Sequence, residues 1–385
     1  MDYEKKYTEA LASAFRYKKK WLTDALAKEA RKYLEDIGGG CTDHEAYRGK
    51  VLPFWERFGY APEEFWFSLA GSRDGIMDPR FVPADLLYTE IIPYLNNLQI
   101  ADAVCDKAFY DIRFDGVKQA TTVCRKVAGI WYDDRMNMID ETEAVNLCMD
   151  RSCELFIKPS MYTSGGHSIR TADTSVTGAG ELAAILEETG ANFIVQEKIE
   201  QHPALASLNP DSVCTIRIST LLMDGEVHVA HELLRVGARG EKVLLRGKGN
   251  YVAQILDDGR LHEKVMFFDP VFDENGEEGY GISWTAAADR GLYDSGFRVP
   301  SMDAVRKSAK KLHERISQLR YVGWDFTVDS NGDPVMIEVN RSPGHVHGQT
   351  GTCTPMFGDM TERVLEDFFI ERSLEKNQRQ GLLIQ

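Results

Sequence analysis

The pattern of apolar and polar positions changes character once along the chain, near residue 100. Before that point, residues 3–35 are rich in Ala, Leu, Lys, Glu and Tyr with few breakers, which predicts one or two helices. Gly38, Gly39 and Gly40 end that stretch. Residues 45–100 are aromatic and punctuated by proline, and short helical pieces are expected at 60–69 and 84–98. Beyond 100, runs at 121–132, 153–158 and 193–199 have strand character, with a glycine-ended helix at 178–190. Two hairpins follow: 213–223 with 227–236 around Asp224-Gly225, and 251–256 with 261–267 around Asp257-Asp258-Gly259. Asp-Gly between alternating runs is a strong turn signal. An amphipathic helix at 301–319 with Ser301 as its N-cap, a hairpin of 321–328 and 334–339, and a helix at 359–369 complete the order. The chain after Glu371 reads as a loose tail. The expectation is an α+β fold with mostly antiparallel pairing, and no strand–GxGxxG–helix unit is present.

Composition narrows the partners. The chain has 385 residues, 45 basic and 60 acidic, for a net charge of −15. Nucleic acid is therefore a poor partner, because binding it needs a dense basic surface. A local cluster of cations remains compatible with the acidic whole. No run approaches the ~18 apolar residues of a transmembrane helix. The first residues lack the apolar core and cleavage site of a signal peptide. Lys18, Lys19 and Lys20 read as a solvated helix face rather than a membrane contact. Seven cysteines without a CxxC pair give no zinc motif and fit a reduced, cytoplasmic protein.

Four groups of residues carry candidate chemistry. Lys158 ends an apolar strand and is followed by the flexible Ser164-Gly165-Gly166, a loop whose N–H groups suit phosphate oxygens; an ordinary hairpin with an exposed lysine is the plainer alternative. Glu338 and Asn340 are two apart on one strand and share a face, with Asp325 on the hairpin partner. Such oxygen ligands suit Mg²⁺ beside nucleotide phosphates, and a solvated edge hairpin is the alternative. The strand running into Gln196, Glu197, Lys198, Ile199 and Glu200 suits an adenine edge and ribose hydroxyls, and a strand end with solvated charges is the plainer alternative. Arg217 and Arg235 lie inside apolar strands, where an arginine is costly unless paired, with a phosphate, a carboxylate or a structural acid.

The ordered set Lys107, Lys158-Pro159, Ser164-Gly165-Gly166, Gln196-Glu197, Arg217, Asp325 and Glu338-Val339-Asn340 resembles the ATP-grasp superfamily. The run 196–220, with His202-Pro203, Leu208-Asn209-Pro210, Ser212-Val213 and Thr215-Ile216-Arg217, is similar to its sugar-transfer-associated branch, whose members tend to accompany surface-polysaccharide genes. The resemblance covers roughly 100–371. It implies two α+β lobes clamping ATP between antiparallel sheets, divided as a helical N-terminal extension (1–100), a preceding segment (101–150), a small lobe (151–200) and a large lobe with the Mg²⁺ site (201–385). It also implies an ATP-dependent ligase that joins a carboxylate to an amine through an acyl phosphate. A phosphotransferase on the same fold and a non-catalytic ATP-binding protein are the alternatives. By the resemblance, Lys107 and Lys158 bind the α and β phosphates, and Ser164, Gly165 and Gly166 close over them. Gln196, Glu197, Lys198 and Ile199 border the adenine, and Glu200, with His202 as its rival, meets the ribose. Asp325, Glu338 and Asn340 hold one or two Mg²⁺ ions, and Arg217 and Arg235 meet the γ-phosphate or acyl phosphate. Arg341 stands where many ligases have a smaller residue; an acidic substrate and a surface acid are both open as its partner. The segment 342–349, with His345 and His347, is expected to line the acceptor pocket.

Overall fold

The computed structural model describes residues 3–161, 168–243, 249–272, 278–344 and 346–382. One helix spans Tyr3–Asp36, and shorter helical pieces follow it up to Leu98–Val104. Fourteen strands then follow among the described residues: β1 (Lys118–Gln119), β2 (Thr122–Val127), β3 (Ile130–Asp133), β4 (Met138–Ile139), β5 (Glu154–Pro159), β6 (Arg170–Asp173), β7 (Phe193–Glu197), β8 (Thr215–Met223), β9 (Glu226–Val236), β10 (Tyr251–Gln254), β11 (Lys264–Phe272), β12 (Glu278–Ala286), β13 (Tyr321–Val328) and β14 (Pro334–Asn340). They form a six-stranded sheet in the order β4-β3-β2-β7-β5-β6 and an eight-stranded sheet in the order β1-β14-β13-β8-β9-β10-β11-β12. Every pairing is antiparallel except β1 with β14. The architecture is therefore the expected α+β pair of lobes with a helical N-terminal stretch.

Several details differ from the sequence pattern. The run 121–132 is not one strand but the β2–β3 hairpin, turned at Ala128 and Gly129, both with positive φ. Residues 122–139 thus share a sheet with 154–197, across the division at 150 that the resemblance implied. The helix expected at 301–319 runs only from Met302 to His313. Ser301 does not cap it: the residue is left-handed, at φ 55°, and its hydroxyl donates to Gly332 O at 2.8 Å, tying the helix to the β13–β14 turn. The strand β12 was not legible in the sequence. The segment after Glu371 is not a loose tail, because the helix Thr361–Leu382 continues through it. All seven cysteines are free thiols, and no helix of the described residues is long and apolar enough to cross a membrane.

Burial explains the layering. Leu155, Ile157, Phe193 and Val195 of the small sheet pack on Leu182 and Ala144 from its two helices. One face of the large sheet, with Ile216, Ile218, Leu234, Trp324 and Phe326, packs on Val305, Ala309 and Leu312 of the helix Met302–His313. Its other face is half apolar and half polar. The apolar half (Leu221, Met223, Leu233, Val252, Met266, Phe268, Ile282 and Tyr321) is buried under Trp55, Phe67, Leu87, Ile91 and Leu95 from the N-terminal hundred residues. Eight such side chains at ~1.5–3 kcal/mol each amount to roughly 12–24 kcal/mol, as large as the whole stability of a typical domain. The N-terminal helices are therefore a structural layer of the large lobe. Gln349, fully buried, pins it by accepting from Val82 N at 2.8 Å. The uncovered polar half of the same face carries the site.

Candidate active site

The site rests on three adjacent strands. Arg217 of β8 lies opposite Asp325 of β13, which lies opposite Glu338 of β14. The next rung is Ser219, Gly323 and Asn340. A bulge on β14 lets Phe326 face Met336, so that Ile337 is the extra residue beside the Asp325–Glu338 pair. Gly323 is required here by close approach: a Cβ would stand 3.3 Å from both Arg217 Cδ and Pro343 Cγ.

The guanidinium of Arg217 forks onto Asp325, with Nε on Oδ1 and Nη2 on Oδ2 at 2.9 Å. Arg235 Nη1 stands 3.6 Å from Asp325 Oδ2. Burial works against the Arg217 charge, but Asp325 and Glu338 outweigh it and raise its pKa further. From the other side, Lys107 Nζ lies 3.2 Å from Glu338 Oε1. Lys107 sits on a short turn capped by Asp106, and its N–H donates to Ser160 O at 3.0 Å, which fastens the turn to the end of β5. Lys158, on β5, donates to Gln196 Oε1 at 3.1 Å. Burial, helped by the neighbouring Lys107 charge and opposed by Glu338, pushes the Lys158 ammonium down to about 8. Lys107, Lys158, Gln196, Arg217, Arg235, Asp325, Glu338 and Asn340 thus meet where the two sheets face each other.

The run after β7 is placed differently. Glu197 pairs with Arg151 at 3.2 Å, and Lys198 pairs with Glu154 at 3.2 Å. The Lys198 N–H donates to Glu154 O at 3.0 Å. Ile199 is half-buried and Glu200 exposed, while Glu200 O accepts from Ser330 N at 2.9 Å. His202 spends Nδ1 on capping the helix Pro203–Leu208, accepting Ala204 N–H at 3.1 Å. Ser164, Gly165, Gly166 and His345 lie outside the described residues, as does the side chain of His347. Arg341 pairs with Asp102 at 3.2 Å, which settles its partner in this state as a protein acid. Two residues absent from the sequence reading also reach the site. Tyr88 interacts electrostatically with Arg217 and donates to Pro343 O at 3.3 Å. Asn96 binds the backbone that follows Asn340. Both come from the aromatic N-terminal segment, where no spacing marks them.

The model of the sugar-transfer-associated ATP-grasp family matches residues 88–354. The chain belongs to that family. The matched span begins at Tyr88 and contains every residue of the site described above. No curated protein matches the sequence. Among solved structures, D-cycloserine synthetase DcsG is similar at 12% identity, covering 83% of this chain and 93% of that one, with a TM-score of 0.44. The VanG D-Ala:D-Ser ligase from Enterococcus faecalis is similar at 16% identity, covering 69% and 61%, with a TM-score of 0.42. The ATP-grasp ligase PsnB is similar at 12% identity with a TM-score of 0.37; the match covers 71% of this chain and spans 63% of PsnB.

ATP-grasp proteins pair their nucleotide with Mg²⁺, and the residues here fit that pair together better than the ion alone. Among the described residues no group of three His, Cys, Asp or Glu is close enough to hold a metal. Asp325 and Glu338 are each already neutralised by cations. Four cations against two carboxylates leave the cleft positive, so a bare divalent ion would be repelled and an ion arriving with a polyphosphate would not. The Asn340 amide nitrogen is buried without a partner among the described residues, on the face it shares with Glu338. An orphaned N–H donor of this kind costs roughly 1–3 kcal/mol and suits an acceptor such as a phosphate oxygen, which leaves the amide oxygen for the ion.

Proposed function

We propose that this ATP-grasp protein is an ATP-dependent carboxylate–amine ligase that forms an amide through an acyl phosphate, acting on a precursor of cell-surface polysaccharide or on a peptide or glycan. The observation that carries this reading is the convergence of Lys107, Lys158, Arg217 and Arg235 with Asp325 and Glu338 between two sheets. A carboxylate attacking ATP is an anion meeting an anion, and fixed cations lower that barrier by being in place before the charge moves.

In this reading Lys107 and Lys158 hold the α and β phosphates, and the loop containing Ser164, Gly165 and Gly166 closes over them. The adenine lies against Gln196, Glu197, Lys198 and Ile199, and the ribose near Glu200. When bound at Asp325, Glu338 and Asn340, Mg²⁺ offsets the charge on the phosphate oxygens. The acid's carboxylate oxygen bonds to the γ-phosphorus as the bond to ADP breaks, and Arg217 and Arg235 steady the transferred phosphoryl oxygens. The amine then attacks the acyl carbon, loses a proton and expels phosphate.

The test is product analysis over a set of acids and amines with MgATP. ADP and phosphate should appear in step with amide, and only when acid and amine are both present. AMP and pyrophosphate from a productive pair would end the acyl-phosphate reading. A stable phosphorylated product without amine would make the protein a phosphotransferase, and MgATP binding without any turnover would make it a non-catalytic ATP-binding protein.

A further inference from the structure

The ladder between β13 and β14 ends at the Gly323–Asn340 pair, and the chain leaves β14 at Arg341. A single side chain from the N-terminal layer closes that end. Asn96, 2% exposed, donates from Nδ2 to Tyr321 O and to Arg341 O, each at 2.7 Å, and accepts Tyr321 N–H at 2.9 Å. The backbone on either side is stitched to the same place, with Asn97 N–H on Gln318 O at 3.0 Å and Arg320 N–H on Leu95 O at 3.1 Å. The helix Leu98–Val104, just after the layer, grips Arg341 a second time through Asp102. Arg341 directly follows Asn340, whose buried amide nitrogen has no partner among the described residues.

We propose that Asn96 is a positioning residue for the metal and phosphate site. It fixes the Arg341 carbonyl, so that Asn340 stays in the ladder with its amide on the face of Glu338 and Asp325. The inference rests on the ATP and Mg²⁺ reading above. The chemistry at 96 is demanding: two N–H bonds and one acceptor on a side chain of this length are what an Asn amide supplies. An Asp there would set its oxygens against two carbonyls, and an Ala would leave three backbone groups buried without partners.

The test uses the full chain with Asn96→Asp and Asn96→Ala. Affinity for a non-hydrolysable ATP analogue is measured with and without Mg²⁺ by calorimetry, together with the thermal midpoint of the free protein. Residues that orient ligands from behind typically change metal affinity about 10–100-fold, so the gain in analogue affinity on adding Mg²⁺ should shrink at least about tenfold. Metal-free affinity should stay within about twofold, since Lys107 and Lys158 are untouched. An Mg²⁺-dependent gain equal to wild type in a folded variant overturns the inference, as does an equal fall in both affinities. If neither Asn96 variant folds, Asn96→Ser, which keeps one donor and one acceptor at that place, should reduce the same gain, and an unchanged gain overturns the proposal. Wild-type protein showing no Mg²⁺-dependent gain would sink the nucleotide reading itself, an outcome separate from the other two.

Discussion

Lys158 carries the most direct pH consequence of the site. Its ammonium titrates near 8 because burial and Lys107 disfavour the charge. Below that pH the lysine is charged and meets phosphate. Above it the free protein must take up a proton to bind, so ATP affinity should fall as pH rises past about 8, by at most about tenfold per unit. Calorimetry in buffers of different ionisation enthalpy should show proton uptake on binding at that pH. Lys158→Arg, charged throughout, should flatten the profile; an unchanged slope would remove Lys158 from the phosphates. Lys158→Met should weaken ATP binding by roughly ten- to a hundredfold, the worth of one charged hydrogen bond. Glu338→Gln keeps the shape but removes the negative charge beside Lys107, and turnover should drop by at least about a hundredfold with near-normal melting. Lys158, Arg217, Asp325 and Glu338 were legible in the sequence because each is a charge set into an apolar strand, a placement that demands a partner, whereas Lys107, on a short turn, was picked out only by the family resemblance. Tyr88, Asn96 and Asp102 were not, because their partners are backbone or side chains far along the chain and no local pattern records them.

At the scale of elements, the two-residue alternation placed Glu338 and Asn340 on one face correctly, and Asp325 with them. The bulge at Ile337 was invisible, since an extra residue in a ladder leaves no trace in a hydrophobic pattern. Gly323 likewise reads as a neutral strand residue until its neighbours are seen. Gly323→Ala would press its methyl on Arg217 and Pro343, and should cost about 1–3 kcal/mol in denaturant titration while disturbing the Arg217–Asp325 fork. The reverse face of the same strands is tuned by a relay. Trp324 donates to Thr220 Oγ1 at 2.8 Å, and His313 Nε2 lies 2.7 Å from Leu319 O. The carbonyl requires Nε2 to be the donor, so Nδ1, 2.7 Å from Thr220 Oγ1, accepts the hydroxyl. Burial, opposed only by the Leu319 carbonyl, pushes His313 down to about 4. The unfolded chain takes that proton near 6.5 and the folded one only near 4, so stability is lost as pH falls through this window, by up to roughly 3 kcal/mol. Chemical denaturation between pH 7 and pH 4 should show the loss, and His313→Gln should reduce it; a parallel pH profile in the variant would exclude this residue.

For the whole molecule, the global charge of −15 conceals a cleft in which cations outnumber acids, so net charge argued against nucleic acid without describing the ligand. The N-terminal hundred residues looked like an appendage because their helices are short and their composition carries no motif. In the fold they cover the apolar half of one face of the eight-stranded sheet. A chain begun after residue 100 should therefore aggregate or stay unfolded, as read by solubility and circular dichroism; a soluble, cooperatively melting product would show the layer to be dispensable. The division of labour across the molecule is consistent: one sheet presents Lys158 and Gln196, the other presents Arg217, Asp325, Glu338 and Asn340, and the N-terminal layer holds the second sheet in place. The central claim is that this cleft transfers a phosphoryl group to a carboxylate. It is tested most directly by labelling both carboxylate oxygens of a productive acid with ¹⁸O and following the label through one turnover with MgATP and amine. One labelled oxygen should appear in inorganic phosphate, released with ADP. Label in AMP, or phosphate free of label, would contradict the account.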